Sequence, residues 1–424
     1  MIRSPIASRA ATTVDLGGAR LSADRTPFWR RYDVAVLTGV IDGAAPLAYM
    51  AGADFGSASG GNLVAWYATT LLAKCVLLVI SWRQRAHLTR LGQLFLGATS
   101  LMVCATLVAG PISLAPYLAA GGFVALLALT LLLVRPESMR RYFAAAALLV
   151  TAVAAAHIAL CLTHQISSAW GRYFYFGHNQ PNLGGEIEAA AALAAVFALP
   201  RRYALPVIAV LFIDMTLLEA RSAILVGIAA ACVKLLFNPG RQFTARRGLT
   251  LLVLGAVAVI GLMEIGAAGL LSDTLTNLLM LNDQYRGFNS GASGRSEIWA
   301  LSWQLFQDSP FVGHSLGYFD SIGFIGSHNL LLFGLAQFGV TSLGFFACIV
   351  AGYLAAFSRD PYRACVLLAA LPLFLFNDRL INLNPYPFLI YVMLFLPVPE
   401  RVASPRPALA IRSEHRAFMG TIPR

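Results

Sequence analysis

Residues 116–134 read PYLAAGGFVALLALTLLLV, residues 135–141 read RPESMRR, and residues 142–163 read YFAAAALLVTAVAAAHIALCLT. Two runs of about 20 apolar residues, the length that crosses a hydrocarbon core of roughly 30 Å, flank a short segment with Arg135, Arg140 and Arg141. Excess arginine marks the cytoplasmic side of a membrane protein. The stretch therefore reads as two membrane-spanning helices joined by a cytoplasmic turn.

The rest of the chain extends this pattern. Of 424 residues, 58% are hydrophobic and 12% charged, and the mean hydropathy is +0.70. A soluble domain carries about 25% charged residues, so a soluble enzyme, a disordered chain and a fibrous protein are all excluded. Apolar runs fall at 33–52, 61–82, 91–111, 116–134, 142–163, 185–199, 203–218, 221–237, 248–270, 328–357, 361–376 and 384–398. The expectation is an all-α, polytopic membrane protein with about twelve spans. It has an N-terminal tail (1–32), nine spans (33–270), a large outer loop (271–327) carrying short amphipathic helices, three further spans (328–398) and a C-terminal tail (399–424). Residues 1–32 are polar and Arg-rich, without the apolar core of a signal peptide. The six cysteines lie in or beside apolar runs with no CxxC pair, and read as small hydrophobes.

The net charge of +11 would suggest nucleic acid for a soluble chain. Here it follows topology, and no nucleic acid partner is expected; the surroundings are membrane lipids. With both termini cytoplasmic, 25 of the 31 Lys and Arg fall inside, five outside, and Lys74 within a span. The five outside are Arg172, Arg221, Arg286, Arg295 and Arg379.

Outside cations oppose the positive-inside rule, so each asks for a reason. Arg221 opens the span 221–237 directly after a tight turn. A helix N-terminus already carries about half a positive charge, so an arginine there suits an anion bound between the guanidinium and the free N–H groups. A salt bridge to Glu219 or Asp214 is the structural alternative. Arg295 repeats the arrangement. Ser293 is a plausible N-cap, and Ile298, Leu301 and Leu305 form an apolar series with helical spacing, ended by Pro310. This surface helix would lie in the outer interface. His328 begins a third outer helix, at Asn329-Leu330-Leu331, where its imidazole can accept or donate a proton near neutral pH. Arginine or histidine at three outer helix starts suggests one shared anion site, and phosphate suits bidentate arginine well. Near Arg172, the aromatics Trp170, Tyr173, Tyr175 and Phe176 with Asn179 and Asn182 suit either sugar rings or an interface belt. Asp42, Lys74, Asp214 and Glu264 lie in or near spans; Asp42 and Lys74 are expected to pair, and His157 to be a packing histidine. His and Cys do not cluster at metal-ligand spacing, and the inside loops are too short for a nucleotide, so neither metal nor cofactor is expected.

Several of these residues together resemble a family. Gly294-Arg295-Ser296-Glu297-Ile298-Trp299, Pro310-Phe311-Val312-Gly313 and Ser327-His328-Asn329 are similar to the successive motifs of the O-antigen ligase and polymerase superfamily. Pro181-Asn182 is similar to its Pro-Asn element, and Glu219-Ala220-Arg221-Ser222 to its Ser-Arg element. Ser315 stands where many members have a second glycine, and Ala220 where serine is common. A pair of Arg-x(10)-Gly repeats, found in some polymerases, is not evident. The resemblance implies an inverting, metal-independent glycosyltransferase at the periplasmic face of a bacterial inner membrane. Its donor would be a glycan on undecaprenyl diphosphate; its acceptor would be lipid A-core for a ligase, or another lipid-linked glycan for a polymerase. Arg221 and Arg295 would bind the diphosphate, and His328 would deprotonate or orient the acceptor hydroxyl or contact the diphosphate. Arg172, Asn182 and Asn329 are the candidate substrate contacts. A transporter or flippase of lipid-linked glycan is the competing class: Asp42, Lys74 and Glu264 favour it, while the lack of an internal repeat and the outer placement of the unusual charges oppose it.

Overall fold

The computed structural model describes residues 33–50, 61–110, 114–169, 172–176, 181–237, 295–316, 318–322, 329–376 and 385–397. The chain divides into two compact units, Met1–Asp33 and Val34–Arg424, and every element named below belongs to the second. The described residues are mostly helical. In chain order the helices are α1 (Val34–Gly43), α2 (Ala45–Met50), α3 (Gly61–Ile80), α4 (Arg90–Ala105), α5 (Ala115–Leu133), α6 (Met139–Leu162), α7 (Pro181–Ala198), α8 (Arg201–Leu217) and α9 (Arg221–Leu236). They continue with α10 (Arg295–Asp308), α11 (Tyr318–Ser321), α12 (Leu330–Phe338), α13 (Ser342–Arg359), α14 (Pro361–Leu368), α15 (Leu371–Phe376) and α16 (Pro385–Phe395). Between α6 and α7 a two-residue antiparallel ladder pairs β1 (Ser168–Ala169) with β2 (Arg172–Tyr173).

These helices sit where the apolar runs predict them. Arg90–Ala109, Pro116–Leu133, Pro136–Leu162 and Leu330–Arg359 are long and apolar enough to cross a membrane. Val34–Leu47 and Trp66–Ile80 are shorter apolar helices. The other described helices at expected span positions are shorter or less apolar, and the run 248–270 lies outside the described residues. Outward faces carry aliphatic side chains, with Val79 75% and Val108 78% exposed. Such a surface suits lipid rather than water.

Three expected spans are interrupted, each with a local cause. Proline lacks the N–H that would bond to the carbonyl four residues earlier. Pro46 therefore breaks the run 33–52 after α1, and Pro372 breaks 361–376 between α14 and α15. Within 328–357, Gly339 has φ +60° and a 3-10 turn follows at Gly339–Thr341, separating α12 from α13. Proline also sets an earlier boundary: α7 starts at Pro181 rather than 185, because a proline fits the first helical position, where its missing N–H has no helical partner to lose.

Helix α7 is the centre of the bundle. Leu183 through Phe197 are buried among α6, α8, α9, α14 and α16. Its alanine-rich middle, Ala189–Ala195, allows neighbouring backbones to approach closely, as small residues do in membrane bundles. The C-terminal carbonyls of α7 are met by Lys234, whose Nζ donates to Val196 O at 2.7 Å and Leu199 O at 2.6 Å. Tyr362 donates to Val196 O at 2.7 Å. Arg363 similarly donates to Leu396 O at 2.8 Å beyond the end of α16. A cation at the negative end of a helix is stabilised by the carbonyls there. Both residues belong to the set counted as cytoplasmic in the sequence.

The expected Asp42–Lys74 pair forms. Lys74 also donates to Thr130 Oγ1 at 2.6 Å, and Tyr142 donates to Asp42 Oδ2 at 2.8 Å. The Lys74 ammonium lies 4.7 Å from the Phe388 ring centroid. One buried network thereby joins α1, α3, α5, α6 and α16. Removing one partner of a buried pair costs about 3–5 kcal/mol, because the other charge is stranded. Lys74→Met is expected to lower the unfolding temperature in detergent strongly. The double variant with Asp42→Asn should recover much of that loss.

Candidate functional site

The candidate residues fall on two structural arms. The first is assembled by close contacts at two adjacent glycines. A Cβ on Gly184 would lie 2.4 Å from the Tyr175 ring, and one on Gly185 would lie 2.3 Å from the Ala220 Cβ. The hairpin carrying Arg172 is therefore seated on the start of α7, which in turn is seated on the start of α9. Asn182 is in the first turn of α7 and exposed. Arg221 is the first residue of α9 and half-buried. The Arg172 backbone forms β2. Three of the six candidate positions, which span 50 residues of chain, thus belong to segments that meet at these two glycines.

The turn before Arg221 is unusually tight. Leu218 N bonds to Asp214 O at 2.9 Å, Glu219 N to Thr216 O at 3.0 Å and Ala220 N to Met215 O at 3.1 Å. Glu219 takes φ +50°, the left-handed conformation that commonly ends a helix but that a residue with a Cβ adopts at a cost. Ala220 provides no side-chain cap to α9. A serine there would occupy the N–H groups that an anion would otherwise use. Alanine at this position thus leaves the helix start without a side-chain cap.

The second arm joins α10 to α12. Pro310-Phe311-Val312-Gly313 follows α10 and docks on the last turn of α12. Val340 N bonds to Pro310 O at 2.8 Å and His314 N to Gln337 O at 3.0 Å. Gln337 Nε2 donates to His314 O at 2.8 Å and Ser315 O at 3.0 Å. Gly313 has φ +67°, and a Cβ on it would lie 2.2 Å from Gln337 O; Gly339 has φ +60° and the same relation to Pro310 O at 2.6 Å. The Pro-x-x-Gly element is therefore an architectural joint. It ties the C-terminal ends of α10 and α12, which pack along one another. The helix starts at Arg295 and Leu330 are the ends away from this joint. Helix α15 packs on both α12 and α9, linking the two arms.

Some expectations on this arm change. Asn329 is the N-cap of α12, its Oδ1 accepting from Leu332 N at 3.1 Å, so it has a structural role beside any contact with substrate. On α10 the buried face runs through Ser302 and Leu305, while Leu301 is exposed together with Trp299 and Trp303. The apolar series in the sequence sets Ile298, Leu301 and Leu305 on one face, and of these only Leu305 is buried. The hydroxyl of Ser302 bonds back to Ile298 O at 2.7 Å, which satisfies it in the interface. His328, Ser293 and the side chains of Arg172 and Arg295 lie outside the described residues.

The sequence reading passed over one group. His157 is not simply packed: its Nδ1 is 2.7 Å from Asp214 Oδ1 and its Nε2 is 3.0 Å from Phe174 O. Asp214, one alternative partner for Arg221, is thus engaged by His157. The Glu188 carboxyl is the neighbour of Asp214, and all three residues are fully buried. The available signal was a pair of acidic residues, Glu186 and Glu188, at the head of an alanine run, where burial demands a partner. Among the described residues no group of three or more His, Cys, Asp and Glu side chains is arranged to hold a metal ion.

Taken together, apolar helices of spanning length and a lipid-suited surface define a helical membrane protein. Residues 206–347 match the family described as O-antigen ligase. That segment carries Arg221, Arg295, His328 and Asn329, and over it the chain is similar to the O-antigen ligase and polymerase superfamily, whose members are glycosyltransferase-like ligases and polymerases. No curated protein and no solved structure matches the chain.

The glycine joint provides a direct check. Gly313→Ala forces a methyl group against the Gln337 carbonyl and a side chain into positive φ, a strain of about 1–3 kcal/mol. A lower unfolding temperature and faster hydrogen exchange at residues 309–316 and 336–340 are expected. Gln337→Ala should reproduce part of this effect.

Proposed function

We propose that the protein transfers a glycan from a polyprenyl diphosphate to a sugar hydroxyl at the outer face of the membrane. The observation that carries this reading is the O-antigen ligase match over 206–347, a segment in which arginine opens two helices, α9 and α10. Arginine at a helix start adds a guanidinium to the N-terminal N–H groups of the helix, a combination suited to the two phosphates of a lipid diphosphate.

In this mechanism the acceptor hydroxyl oxygen attacks the anomeric carbon of the donor sugar. The bond from that carbon to the diphosphate oxygen breaks, and the configuration inverts. Arg221 and Arg295 hold the diphosphate and stabilise the charge that develops on it as it leaves. His328 takes the acceptor proton or orients the hydroxyl. Undecaprenyl diphosphate is a good leaving group, so no metal or nucleotide is required. Arg172, Asn182 and Asn329 contact donor or acceptor. The enzyme sits in a bacterial inner membrane with both termini cytoplasmic and the site facing the periplasm.

Lipid A-core is the favoured acceptor, making the protein a ligase of lipopolysaccharide assembly. Polymerisation onto another lipid-linked glycan is the second reading; the want of a paired Arg-x(10)-Gly repeat weighs against it. Reconstitution with glycan-linked undecaprenyl diphosphate and each acceptor separately distinguishes the two. Replacing one such electrostatic donor lowers turnover about 10²–10³-fold in comparable sites. Arg221→Ala, Arg295→Ala and His328→Ala are each expected to show losses of that order with either acceptor. Wild-type protein that moves the lipid across the bilayer but transfers nothing would replace the enzyme with a transporter.

A further inference from the structure

His157 is in the penultimate turns of α6, buried, with an acceptor at each ring nitrogen: Asp214 Oδ1 at 2.7 Å and Phe174 O at 3.0 Å. With a proton on each nitrogen the ring donates both bonds. Asp214 sits near the end of α8, so the ring is anchored from a further helix. The other side of the ring is packed by the loop it bonds. Its centroid is 5.3 Å from that of Tyr175 and 4.9 Å from that of Phe176. Phe176 has φ +48°. A bulky residue in that region is an outlier that persists only where its surroundings enforce it. The loop continues into the β1–β2 ladder through the bond from Phe174 N to Ser167 O at 3.1 Å.

We propose that His157 is a positioning residue: anchored by Asp214, it clamps the hairpin segment Arg172–Phe176 over the start of α7, so that Arg172 is presented to the lipid diphosphate. The inference rests on the transferase reading above. It differs from a packing role because it depends on one ring nitrogen, the one bonded to the hairpin. The seat of Tyr175 on Gly184 carries the clamp onto the helix bearing Asn182. The strain at Phe176 means that loss of the bond releases the turn instead of leaving it in place.

Three variants test this. The amide nitrogen of glutamine reaches the place of Nε2, whereas that of asparagine reaches only the place of Nδ1. Hydrogen exchange of residues 168–176 in lipid nanodiscs should rise at least about tenfold in His157→Ala, the effect of one lost buried hydrogen bond. His157→Gln should restore most of the protection and His157→Asn little of it. In transfer assays His157→Ala should raise the donor KM by about the same factor, with kcat at saturating donor nearly unchanged, and glutamine should again rescue. Unchanged exchange, equal rescue by asparagine and glutamine, or a fall in kcat with an unaltered KM would each overturn the proposal. Wild-type protein without transfer activity would end the transferase reading instead, while exchange at the hairpin would still decide whether the clamp exists.

Discussion

A polar group in the apolar interior of a membrane bundle has no water to bond with, so it must find its partner in the protein. The arrangement of this chain follows from that constraint. Lys74 is held by Asp42 and Thr130, Lys234 by two carbonyls at the end of α7, and His157 by Asp214 and Phe174 O. Each bond joins segments distant in sequence. In this setting hydrophobic contact does not distinguish one helix neighbour from another as well as polar pairing does. The charged and polar groups therefore specify which helices meet, and Lys234 with Tyr362 closes the C-terminal end of α7.

Close approach is the second determinant. Gly184 and Gly185 allow the hairpin and α9 to meet α7, and Gly313 and Gly339 allow the chain after α10 to meet α12. The first joint brings the starts of α7 and α9 together, and the second ties the C-terminal ends of α10 and α12. For a site that handles a diphosphate this matters more than the identity of any one loop residue, since anion binding draws on N–H groups, helix dipole and guanidinium together. The Pro-x-x-Gly element belongs to the joint and not to the chemistry. Gln337, buried inside α12, completes that joint through both of its amide bonds to the His314 and Ser315 carbonyls.

Helical class and the approximate position of each element were legible in the residues, because apolar runs of spanning length with Arg at alternate ends leave few other folds. The Asp42–Lys74 pair was legible for the same reason: two opposite charges in apolar runs have little else to bond with. Arg221 at a helix start was visible from the abrupt change after Glu219-Ala220. The inward face of α10 was not, because Ser302 reads as polar until its bond to Ile298 O is known. His157 was read as a packing residue, because its partners come from α8 and from a loop, 57 and 17 residues away.

Composition, charge asymmetry and local motifs therefore determined by themselves that this is a helical membrane protein, where its helices lie, and which residues open the outer ones. These are properties of short windows, set by hydropathy and by what a proline or glycine permits locally. Tertiary structure alone decided that Arg172, Asn182 and Arg221 share one arm, that Arg295 and Asn329 share another, and that His157 bridges α8 to the hairpin. Such neighbours depend on which helix faces meet, and that is settled by packing at single glycines and by pairing of buried polar groups, neither of which has a period in the chain.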